Sequence, residues 1–130
     1  MPAHIQKLSP AFVAIYREAE EAKQLGLLQI AGPGYRKAFE FLIKDYAIAM
    51  KPDNAAEIKE AFSGSVVKNY VPDPRIAPLA ERSLWLGNDE THYLRKWVDH
   101  DIKDLIRLID LTMHWMEIDL SSKEYLATLK

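Results

Sequence analysis

Between Asp99 and Leu120 the chain reads DHDIKDLIRLIDLTMHWMEIDL. Ile102, Leu105, Ile106, Ile109, Met113 and Met116 recur three or four residues apart, the spacing that lines one face of an α-helix. Leu108, Leu111, Trp115 and Ile118 make a second stripe. Asp99, Asp101 and Asp104 sit near the start, where the helix dipole favours negative charge. A helix that is apolar along two lines needs cover on two sides. The stretch therefore predicts a helical bundle and leaves apolar surface over for a partner subunit.

Two helices upstream agree. In SPAFVAIYREAEEAKQLG, Ser9 is placed to cap and Pro10 suits the first helical position. Phe12, Ile15, Tyr16, Ala19 and Ala22 share one face, and Gly26 supplies the stop. In YRKAFEFLIKDYAIAMKP, Tyr35, Ala38, Phe39, Leu42, Tyr46, Ala49 and Met50 recur at helical spacing. Phe41, Ile43 and Ile48 lie off that stripe, so this helix is either central in the bundle or shared with a second subunit.

The segments between are weaker. IAGPG, Ile30 to Gly34, lacks the strand and the further glycines of a phosphate-binding loop. It reads as a loop, or as a close helix–helix approach through small residues. DNAAEIKEAF predicts a short helix capped by Asp53 and interrupted at Gly64, and SVVKNYV reads as a helical turn. Pro72, Pro74 and Pro78 stiffen the connection to LAERSLWLG, which fixes where the next helix starts. SSKEYLATLK closes the chain with a capping-box pattern from Ser121 to Glu124. The sum is an all-α bundle of four to six helices in one domain, residues 1–130.

With 130 residues the chain is long enough to bury a real core, and 48% hydrophobic with 28% charged residues favours neither disorder nor a membrane protein. The net charge of -2 argues against nucleic-acid binding through bulk electrostatics, leaving a local basic patch as the alternative. Cysteine is absent, which excludes disulfides, thiol catalysis and cysteine zinc sites. The opening MPAHIQKLSP has neither a basic nor an apolar leader region, and no apolar run is long enough to span a bilayer. A cytoplasmic domain is the expectation, with no membrane partner and no cofactor.

Chemistry is concentrated in LWLGNDETHY, Leu84 to Tyr93. Metal-independent RNA cleavage needs a base for the 2′-hydroxyl and a cation for the charge that develops on phosphate. His92 fits the acid–base role, and Asn88, one helical turn away, can orient it or bind phosphate. Arg82 or Arg95 would supply the cation. The same residues also read as a helix junction, with Gly87 ending one helix, Asn88 capping the next and His92 satisfying a carbonyl. His92, His100, Asp99 and Asp101 are the densest group of metal-ligand types, at spacings that match no zinc or EF-hand pattern, so no metal is expected. His114 reads as a partly buried packing residue. His4 falls in an N-terminal segment expected to be mobile. A bundle that binds a small molecule rests only on the aromatic content of the core.

GYRKAFEFLIKDYA followed far downstream by LWLGNDETHY resembles the domain of unknown function 4145 family of bacteria and phages, itself similar to the HEPN superfamily of all-α domains. The resemblance runs from about Ser9 to Trp115. Its anchors are Arg36 with Glu40, and Gly87, Asn88 and His92. It implies a helical bundle, homodimerisation and a setting in phage–host conflict. HEPN ribonucleases carry an arginine, a polar residue, three variable residues and a histidine, and two such motifs meet across a dimer. Asn88 and His92 match the polar and histidine positions, while Gly87 stands at the arginine position. A ribonuclease on this pattern would need Arg82, Arg36 or Arg95 to substitute in space. The reading that follows is a noncatalytic HEPN-like interaction domain, homodimeric, with a protein or RNA partner. A ribonuclease using His92 and Asn88 is the alternative.

Overall fold

The computed structural model describes every residue from Met1 to Lys130. All regular structure is helical, in seven α-helices and one 3-10 turn. Short segments expected to be turns or mobile account for the excess over the four to six helices predicted. No helix is long and apolar enough to cross a membrane.

The first of these is α1, Ala3–Leu8, in the segment expected to be mobile. Ile5 is fully buried there, and Glu117 accepts the amide of His4 at 2.8 Å, so both apolar burial and a charged cap hold α1 down. The helix α2, Pro10–Gln24, starts as expected, with the Ser9 hydroxyl accepting from the Phe12 amide. It ends at Gly26, whose φ of 77° suits a residue without a side chain. Leu27 N–H reaches the Ala22 carbonyl at 2.9 Å and Gly26 N–H the Lys23 carbonyl at 2.9 Å, a Schellman closure that turns the chain back on itself.

The returning helix is α3, Leu28–Met50, and it contains the IAGPG segment expected to be a loop. Pro33 deprives the helix of the hydrogen bond to the first-turn carbonyl of Gln29. The small residues serve the close approach that was the other reading. A Cβ on Gly34 would lie 3.0 Å from Ala19 Cβ on α2, and one on Gly32 would lie 2.5 Å from Glu90 Oε1. Tyr35, Ala38, Phe39, Leu42 and Tyr46 are buried, and so is Ile43 off the main stripe. Contacts with α1, α2 and the helices that follow use these faces, so α3 is the central helix of the bundle.

A 3-10 turn at Pro52–Asn54 leads into α4, Ala55–Glu60. Asp53 does not cap it; the cap position is Asn54, whose side chain reaches Glu57 Oε2 at 3.2 Å. Gly64 lies inside the first turn of α5, Ser63–Tyr70, which replaces the expected single turn and buries Val66 and Val67. Asp73 then organises the proline-rich connection. Its Oδ1 accepts the amides of Arg75 at 2.7 Å and Ile76 at 3.2 Å. Burial alone would raise the Asp73 pKa, but the Arg75 guanidinium and these amides outweigh it and hold the carboxyl below its ordinary value.

The helix α6, Ala77–Asp89, runs through Gly87 and Asn88, so Gly87 is not its stop and Asn88 does not cap the next helix. A connection from Glu90 to Asp101 follows. Asp101 and Asp104 form a reciprocal capping box at the start of α7, Ile102–Thr128. The box predicted at Ser121 and Glu124 is absent because α7 continues through both; nothing between Leu120 and Ser121 breaks a helix. Buried Tyr16 on α2 donates to Asp110 at 2.9 Å, and Tyr46 on α3 to Asp119 at 2.6 Å, tying α7 to the hairpin. Burial, reinforced by these carboxylates, raises both phenol pKa values.

Candidate functional site

Gly87 and Arg36 meet where α6 crosses α3. A Cβ on Gly87 would lie 3.2 Å from Arg36 Cγ and 3.3 Å from Arg36 Cβ, so the glycine makes room for the arginine stem. The stem carries the Arg36 guanidinium past α6, and its Nε donates to Asn88 Oδ1 at 3.1 Å. An arginine from α3 is thus packed over Gly87 and bonded to the residue that follows it.

His92 lies just beyond the end of α6. Its backbone N–H reaches the Asn88 carbonyl at 3.2 Å, and the same carbonyl accepts Thr91 N–H at 3.0 Å and Thr91 Oγ1 at 2.9 Å. These bonds satisfy an otherwise orphaned helix-end carbonyl. The imidazole is exposed and, with the Asn88 side chain, borders an open hollow of about 660 Å³ shared with Leu94, Lys96 and Trp97. Asn88 also lines a groove of about 550 Å³ between α3, α5 and α6. It forms the ridge between the two, with Arg36 on the groove side and His92 on the other.

The remaining candidate arginines are directed elsewhere. Arg82 donates to the Pro78 carbonyl at 3.0 Å and its guanidinium lies 5.1 Å from the Trp85 ring centre. Arg95 donates to the His100 carbonyl at 2.8 Å and lies 3.7 Å from Glu90. Neither joins Asn88 and His92. The groove beside Arg36 is lined by Glu40, Glu60 and Glu81 as well as Lys44. Lys44 is taken up by Glu40 at 3.5 Å and the Lys59 carbonyl at 3.0 Å. Carboxylates outnumber free cations there, which opposes the approach of a polyphosphate backbone.

No group of three or more histidines, aspartates or glutamates is arranged to hold a metal ion. His100 instead pairs through Nδ1 with Asp104 at 3.1 Å. His114 is exposed on α7 rather than partly buried, its Nδ1 bonded to the Asp110 carbonyl one turn back.

Two structural residues here escaped the sequence reading. Asp89 is buried and accepts the amides of Lys96 at 3.0 Å and Trp97 at 2.6 Å, clamping the connection between α6 and α7. Trp97 stacks on Trp85 with centroids 5.4 Å apart and planes 8° from parallel. Neither arrangement has a local signature, since the partners lie seven to twelve residues apart across an irregular segment. Glu90 next to them packs over Gly32; burial raises its pKa, Arg95 opposes this, and Asp89 and Asp101 add to it.

No family model, curated protein or solved structure matches the chain.

Proposed function

We propose that the protein is a noncatalytic, HEPN-like helical interaction domain that pairs with a second copy of itself through the C-terminal part of α7. One observation carries this reading. Ile118, Tyr125 and Leu126 on the C-terminal part of α7, and Leu129 just beyond it, are exposed to 48%, 64%, 73% and 75%. Ile118, Ser122, Tyr125 and Leu129 are spaced as a coiled-coil seam. In a two-fold antiparallel pair this seam sets Ile118 against Leu129 and Ser122 against Tyr125, small against large, in both directions at once.

Three of the four seam positions are large apolar side chains, each contributing at most roughly 1.5–3 kcal/mol on full burial, to be set against an association cost of about 4–15 kcal/mol. Homodimerisation is what the family resemblance implies as well, and the phage–host setting belongs to that same implication. Sedimentation velocity of the full chain tests the reading. A dimer at micromolar concentration is expected, converted to a monomer of unchanged helicity by Tyr125→Glu with Leu129→Glu. A wild-type monomer at about 100 μM, a free energy weaker than roughly 5.5 kcal/mol, rules it out.

The hydrogen bond from Arg36 to Asn88 favours one second reading, a metal-independent ribonuclease. In it His92 acts as acid–base, Asn88 as orienter and Arg36 as the cation. It requires RNA cleavage in the presence of a chelator that both His92→Ala and Arg36→Ala abolish.

A further inference from the structure

The end of the bundle where α2 turns into α3 and α6 gives way to α7 carries uncovered apolar side chains. Every residue from Gln24 to Ile30 is exposed, and Leu25, Leu27, Leu28 and Ile30 are each at least half so. Tyr93 is fully exposed, and Leu94 and Val98 are mostly so. The two segments share this end because α6 runs antiparallel to α3. Gly87 lies against Arg36, and three residues on, Glu90 lies against Gly32, one turn nearer the start of α3. The 23 residues of α3 put about 35 Å between this end and the other. Seven large apolar side chains gathered at one end go beyond the scattered exposure of an ordinary surface. The four around the α2–α3 turn line neither hollow beside Asn88 and stand at the apex of a helical hairpin.

The charge pattern says what covers them. From Ala22 to Phe39 the chain has no carboxylate but carries Lys23, Arg36 and Lys37. From Thr91 to Val98 it again has none but carries His92, Arg95 and Lys96. Carboxylates resume at Glu21 and Glu40, and at Glu90 and Asp99. Glu90 is taken up by Arg95 at 3.7 Å, whereas Lys23 and Lys96 have no carboxylate partner. In a chain of net charge -2, apolar tips flanked by cations complement a surface that is anionic outside and hydrocarbon within. We propose that this end of the bundle docks on an anionic phospholipid surface, with the leucine turn and Tyr93–Leu94 sunk below the phosphates and the lysines among them. A protruding aliphatic apex offers a peptide no groove, while a fluid bilayer moulds to it. The absence of a spanning helix bears on crossing a bilayer and not on resting against one.

Flotation of the full chain with lipid vesicles tests the proposal. Binding to vesicles of equimolar phosphatidylserine and phosphatidylcholine is expected to be about tenfold stronger, or more, than to phosphatidylcholine alone, and to weaken in high salt. Leu25→Glu with Leu28→Glu, both exposed changes, should lower binding by roughly the same factor at an unchanged melting temperature. The chain lacks cysteine, so a single introduced cysteine carries a polarity-sensitive dye. On anionic vesicles the dye emission should shift to the blue from Leu94→Cys and stay unchanged from Asp53→Cys, just past the far end of α3. No flotation with anionic vesicles, equal flotation with neutral ones, full binding by the double variant, or equal shifts from both labels overturns the proposal. So does self-association that the double variant abolishes while neither protein floats, which assigns this end to a second copy.

Discussion

Gly87 shows how a single residue type can carry opposite meanings in sequence and in space. Along the chain it reads as a helix stop and as a missing catalytic arginine. In the fold it lies inside α6, and its lack of a side chain lets Arg36 through to Asn88. The first prediction follows from that contact. Gly87→Val would press its branched side chain on Arg36 Cβ, which the α3 backbone holds fixed. A loss of about 1–3 kcal/mol is expected in chemical denaturation, as for overpacking elsewhere, despite the better helix propensity. Asp89 is the second case. Asp89→Ala removes the acceptor of two amides and should cost about 1–3 kcal/mol, the usual penalty for orphaned buried polar groups. Hydrogen exchange should quicken at Lys96 and Trp97 before anywhere else. The identity of Asn88 and His92 as a spatial pair was legible from their one-turn spacing. The arrival of Arg36 was not, because it comes from a helix about fifty residues earlier.

At the scale of elements, the apolar period located α2, the main part of α3, and α7, whose first stripe is buried at Ile102, Leu105, Ile109, Met113 and Met116 and half-buried at Ile106, while the second is half-buried at Leu108, Leu111 and Trp115 and exposed at Ile118. Errors gathered where local rules compete with packing. Pro33 between two glycines argues for a loop, yet α3 runs through it because those glycines fit against Ala19 and Glu90. The third prediction belongs here. Pro33→Ala should raise the melting temperature, since it returns a hydrogen bond to Gln29 and recovers part of the roughly 3 kcal/mol that proline costs a helix interior. An unchanged or lower value would mean that the proline ring itself is needed at the start of α3. In α7, Ser121 and Glu124 match a capping box by type. Glu124 bonds His4 instead, and the working box is Asp101 with Asp104, where the chain really enters the helix from an extended residue.

Across the whole molecule, α1 closes the bundle through Ile5 and through His4, whose ring bonds both Glu124 and Glu117 on α7. Hydrogen bonding to Glu124, then to Glu117, raises the His4 pKa above 6.5. The folded state therefore holds this proton more tightly than the unfolded chain does. The stabilisation is complete below the unfolded value and is lost as pH rises through the folded one. The fourth prediction is that His4→Ala lowers the melting temperature at about pH 5.5 but matches the wild type at about pH 9. A difference that persists unchanged to high pH would show that His4 acts by packing alone. The placement of α1 lay beyond sequence reading, since six residues hold too little periodicity and their partners are on the last helix. The central place of α3 was one of two alternatives in the sequence. By itself the sequence determined the helical class and the faces of the long helices, because burial follows a repeat of three to four residues. Only the tertiary structure decided which arginine meets Asn88, which helix ends are real and where the tryptophans stack. Those depend on contacts between distant segments, and no local pattern encodes them.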